Sequence, residues 1–215
     1  MNKEWSDKNK LMQSLLKKNT FSEGIEELIE LRGMLMKEIL SWRNLSNDAF
    51  SAIPYINADG YHSKTVSYSL WHIFRIEDIV VNSLIREKEE VLFAGDYQKK
   101  MNASITTTGN ELKGMAIADF SRTLDMDVLF EYIQKVKKNT DEWLQTLDFT
   151  SLKKSFNEAD KERLRKLKVV SNNEDAAWLV DYWCDKDIKG LIKMPLSRHW
   201  IMHIEGALRI IKKIG

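Results

Sequence analysis

The chain has 215 residues, which at about 150 per domain accommodates one large domain and leaves little room for two. Hydrophobic residues at 43% and charged residues at 30% allow a sizeable core and exclude wholesale disorder, while nine Gly and two Pro are too few for a β-sandwich. Thirty-three basic residues against 32 acidic ones leave a net charge of +1, so the whole-chain field directs the protein to neither nucleic acid nor an anionic membrane.

The first helix is predicted over 22–42, where Ile25, Leu28, Leu35, Ile39 and Trp42 share one face behind Ser22 as a cap. The lysine-rich opening before it carries no predicted element. Residues 44–63 collect Asn, Ser, Asp, Gly and Pro54 around Tyr55 and Ile56, a packed loop. A second helix spans 65–87, apolar through Leu70, Ile73, Ile76, Val80 and Leu84. The polar stretch 88–124 contains NASITTTGN and predicts surface loops with a short helix near 111–119. A third helix runs from 125 or 127 to 147, with Leu129, Tyr132, Val136, Trp143 and Leu147 in three-four steps and acids at its start.

Residues 148–190 predict two accessory helices, 157–169 and 174–187, the second carrying Trp178, Tyr182 and Trp183. The last helix starts at Pro195, where a first helical turn tolerates proline, and ends in lysines that suit the dipole. The sum is a single all-α domain over 1–215. Its architecture is an up-down four-helix bundle with accessory helices in two long connections, about 88–124 and 148–190.

No apolar run approaches the roughly 20 residues needed to cross a bilayer. The single cysteine, Cys184, has no disulfide partner, and MNKEWSDKNK lacks the apolar core of a signal peptide. A reduced, cytoplasmic protein is expected. Cys184 itself, with no histidine near it in sequence, reads as a small core thiol rather than a nucleophile.

Four histidines are present. His199 and His203 stand four apart on the last helix, in a seam with Leu196, Gly206 and Ile210 that should face the bundle interior. His72 occupies a similar seam on the second helix with Ser69, Ile76 and Ser83. Three inward imidazoles cannot all be protonated in a core, so they are either neutral and hydrogen-bonded or bound to a metal. Neutral imidazoles suit zinc, nickel, copper or iron, and three of them leave one coordination position open. Spacing alone leaves both readings standing. His62, in the loop before the second helix, reads as a surface residue.

SLWHIFRIED in the second helix together with PLSRHWIMHIEGALR in the last resembles the DinB-like family of bacterial four-helix-bundle proteins. The resemblance covers the order and spacing of the main helices, with 88–124 and 148–190 longer than is typical. It implies a divalent metal, zinc or nickel ahead of iron or manganese, held by His72, His199 and His203. Gly206 stands one step further from the pair than the family's small residue, and the extra histidine often found between them is missing.

The resemblance further implies metal-dependent transfer or hydrolysis on a small molecule, with low-molecular-weight thiols as substrates in related proteins. The open position of such a site lowers the pKa of bound water or holds a thiol as thiolate. The rival reading is a non-catalytic, stress-related bundle that acts through a partner or as a homodimer, with structural histidines. Tyr68, Ser69 and Arg75 fall within about 60° of His72 by the helical step and are candidates to orient a ligand, against a reading of Arg75 paired with Glu77 or Asp78. Arg32 is a similar case on the first helix. Glu77 and Glu205 point away and read as solvated, and Trp71, Trp200 and Met202 read as core ahead of pocket lining. There is no phosphate-binding glycine loop, G-x-S-x-G, H-E-x-x-H or C-x-x-C, and the lysine runs are interleaved with acids, so nothing reads nucleic acid.

Overall fold

A computed structural model describes residues 2–215, and every regular element among them is a helix. α1 (Lys3–Leu15) is capped by the Asn2 side chain and pairs with α2 (Phe21–Ser41). After the short α3 (Asn47–Ser51) comes α4 (Val66–Asp78), which continues in wider, π-type turns to Arg86. The connection 88–124 folds into α5 (Val91–Ala94), α6 (Tyr97–Lys100) and α7 (Met115–Thr123). α8 (Met126–Leu144) follows behind an Asp125 cap, then α9 (Glu158–Leu167), α10 (Glu174–Cys184) and α11 (Ile188–Lys193). A π-type turn over Met194–Arg198 leads into α12 (His199–Ile214).

Several boundaries differ from expectation for local reasons. α1 was not foreseen among the lysines, yet Trp5, Asn9, Met12 and Leu16 repeat on one face and are buried against α2. α2 starts at Phe21, ahead of Ser22, after Thr20 donates to the Leu15 carbonyl and closes the turn. α7 begins four residues later than the expected 111–119, because Gly114 at φ +53° separates it from the preceding turn. Pro195 lies in the π-type turn before α12 rather than in the helix proper.

All thirteen residues of α4 are buried, which makes it the central element. It packs against α8 and α12, and α2 closes on α8 and α12. Two apolar clusters meet along α2 and α4. One contains Leu35, Ile39, Phe74 and Trp200, and the other contains Leu28, Ile76, Val80 and Leu196.

A buried ion pair sits where the clusters meet. Arg32 on α2 donates through both terminal nitrogens to Glu77 on α4, at 2.7 and 2.8 Å, and through Nε to Asp141 on α8 at 2.7 Å. Arg32 also donates to the Leu196 carbonyl, and Trp200 Nε1 donates to Glu77 at 2.9 Å. Glu77 is therefore fully buried rather than solvated, and Arg32 is structural. The helical wheel could not reveal this, because a helix buried on every side has no solvent face for its acid. Glu77→Gln, which leaves Arg32 with half of its charge compensation, should lower unfolding free energy by about 3 kcal/mol in urea titrations. Arg32→Met combined with Glu77→Met should recover part of that loss.

Candidate metal centre

α4 carries His72 at mid-length, and α12 opens with His199 and His203 one turn apart. The packing of these two helices brings the three rings together. Ring centroids lie 5.1 Å apart for His72–His199, 4.6 Å for His72–His203 and 4.5 Å for His199–His203. One nitrogen from each ring lies within 4.8 Å of the other two, and all three residues are buried. Such a group can hold a metal ion.

The orientation of His72 comes from the loop at 106–109, which α4 grips through four consecutive carbonyls. Arg75 donates to Thr106 O at 2.6 and 3.1 Å, Trp71 Nε1 to Thr107 O at 3.1 Å, and Tyr68 OH to Gly109 O at 3.0 Å. The fourth contact joins His72 Nδ1 to Thr108 O at 2.8 Å. A carbonyl only accepts, so Nδ1 carries the proton and Nε2 of the neutral ring keeps its lone pair. Arg75 is anchored in turn by Asp78 and by Glu90 at 2.8 Å, with Tyr132 OH also at hand. It does not line the pocket, so it acts on the site only by holding the loop.

Burial holds all three imidazoles neutral. It pushes the His72 pKa down to about 4, against the opposing pull of the Thr108 bond and with a small contribution from the Lys64 charge. His199 and His203 are driven well below the ordinary imidazole value, first by burial and then by neighbouring histidines. Their Nδ1 atoms are buried with no hydrogen-bond partner among the described residues. Buried polar nitrogens of this kind are rare. An all-imidazole, uncharged donor set with nitrogens left unsatisfied fits a borderline divalent cation.

A pocket of about 460 Å³ opens onto the three rings. Tyr68 stacks on His72 at 5.6 Å with the planes 10° apart, and Tyr61 meets His203 edge-on at 4.7 Å. Gly206 permits the second contact, since a Cβ there would lie 2.8 Å from the Tyr61 backbone. Ser69 donates to Thr65 O within its own helix and takes no part in the pocket. Trp71 and Trp200 are core, and Met202 does not line the pocket. His62 packs against Tyr55, away from the cluster. Cys184 is buried, its thiol pushed up to about 11 mainly by burial, and Glu205 accepts from the Asn2 amide.

Sequence reasoning missed Tyr61, Lys64, Asn110, Trp178 and Tyr182, all of which line the pocket. They come from the 55–64 loop, the 106–110 loop and α10, which no helical periodicity links to α4 or α12. Gly206 was the available signal, because a glycine on an inward seam marks a close approach by some other segment. In comparisons with known proteins, the chain matches no family model and no curated sequence.

Two outcomes follow. A histidine with a lowered folded pKa leaves the unfolded state binding more protons below its own pKa of about 6.5. The metal-free protein should therefore lose stability as pH falls from about 6.5 toward 4, by roughly 3 kcal/mol from His72 alone. Urea titrations across that range check this, and His72→Asn should remove the His72 share while leaving the part that His199 and His203 contribute. Gly206→Ala should push Tyr61 off His203, costing about 1–3 kcal/mol and removing the ring-current shift of the His203 side chain in NMR spectra.

Proposed function

We propose that this chain is a DinB-like protein built on an up-down four-helix bundle, in which His72, His199 and His203 hold one divalent metal ion. Zinc or nickel is favoured over iron or manganese. The reaction is metal-dependent transfer or hydrolysis on a small molecule, with a low-molecular-weight thiol as one candidate substrate. The observation that carries this reading is the convergence of three neutral, buried imidazoles, two with unpartnered Nδ1 atoms, at the wall of a pocket.

When bound at such a site, the ion supplies Lewis acidity that draws a water or thiol ligand toward its deprotonated form. The protein's own groups do the rest. Thr108 O fixes the tautomer of His72, and Tyr68 and Tyr61 clamp the rings of His72 and His203. Trp178, Tyr182 and Trp183 wall the pocket and limit water. Asp59 is the one carboxylate among the described residues lining it, and it is exposed. A purely structural ion needs no access from solvent, so the pocket favours catalysis over the reading in which the histidines only stabilise a non-catalytic bundle.

Plasma mass spectrometry on tag-free protein tests the reading. Wild type should carry close to one ion per chain, and His199→Ala and His203→Ala should each lose it while keeping helical circular dichroism. Wild type that takes up no ion after incubation with zinc, nickel and manganese would overturn the proposal.

A further inference from the structure

The pocket over the histidines has two unlike walls, and from them we infer its ligand class: a small carboxylate with a flat apolar body, its acidic head on Lys64 and Asn110 and its body on Trp178 and Tyr182. The inference deepens the metal reading above and takes its orientation from it.

Lys64 ends the loop before α4 and is half-buried in the pocket wall. No carboxylate lies within 4.0 Å of its ammonium among the described residues, and its recorded contact is the face of Tyr68, 5.6 Å away. The neighbouring cation, Lys113, is by contrast paired with Asp175 on α10 at 2.6 Å. Burial, helped by the Lys113 charge and opposed by Asp175, lowers the Lys64 pKa, and Lys64 lines the same pocket as the three imidazoles. A partly desolvated cation whose nearby carboxylate, Asp175, is already paired with Lys113 suits an anion supplied from outside.

Asn110 offers a second donor. Thr108 Oγ1 donates to Asn110 Oδ1 at 2.8 Å, which leaves the amide Nδ2 as a donor with no protein acceptor among the described residues. α10 contributes an aromatic wall. Trp178 is 49% exposed and meets Tyr182 edge-on at 5.5 Å, an apolar patch placed at the mouth of a concave site. Lys64 is the one Lys or Arg among the residues lining the pocket, and the one carboxylate there, Asp59, is exposed. A volume of about 460 Å³ suits a small molecule.

Calorimetric titration of the zinc-incubated full chain with phenylacetate and with phenylacetamide tests this, since the two probes share a shape and differ in charge. Zinc content is measured on every sample. Phenylacetate should bind wild type at least about tenfold more tightly than the amide. Lys64→Met should cut that preference by about tenfold, Lys64→Arg should retain it, and Trp178→Ala should weaken both probes alike. Equal affinity for the two probes, binding of neither, or a preference unchanged in Lys64→Met would overturn the inference. A Lys64-dependent preference in protein that takes up no zinc would uphold the anion pocket and remove the metal reading instead.

Discussion

The structure depends on the burial of α4 with its polar side chains still attached. A helix enclosed on all sides has no water to satisfy Ser67, His72, Arg75, Glu77 or Asp78, and each unsatisfied group would cost on the order of 1–3 kcal/mol. Every one of them therefore fixes a neighbour. Glu77 locks α2 and α12 through Arg32 and Trp200, and Asp78 accepts from the Val91 and Leu92 amides that begin α5. Arg75 and His72 take hold of the 106–109 loop. The polar groups of α4 thus act as the joints of the fold.

The histidine cluster is a consequence of the same constraint. His72 is the one member whose hydrogen-bonding need is met within the protein, through Thr108 O, and that bond orients it. His199 and His203 arrive on α12 with their Nδ1 atoms unsatisfied, so the site is stable only to the extent that burial keeps them neutral or a cation claims them. The loop at 55–64 and α10 then add the pocket walls, and Gly206 sets how closely the loop can approach.

The all-helical class was legible in the sequence because α2, α4, α8 and α12 each carry an apolar stripe that periodicity detects. The histidine trio was legible for the same reason: its members lie on inward seams of two such helices. What escaped was whatever depends on contacts between segments far apart in the chain. Glu77 read as solvated because its cationic partner, Arg32, lies 45 residues away on another helix. The pocket walls escaped because loops have no period, and α1 escaped because its few buried positions are diluted by lysines. Arg75 pairs with Asp78, the alternative the sequence offered, while its hold on a loop carbonyl beside His72 could not be read from a helical wheel.

The central claim is that three neutral imidazoles surround one ion and leave it a position open to the pocket. X-ray absorption at the metal edge of zinc-loaded protein tests it most directly. The account predicts three histidine nitrogens at about 2.0–2.1 Å, identified by imidazole multiple scattering, with a further light-atom ligand that phenylacetate or a small thiol displaces. An all-oxygen shell, or a shell of histidines that neither probe alters, would contradict it.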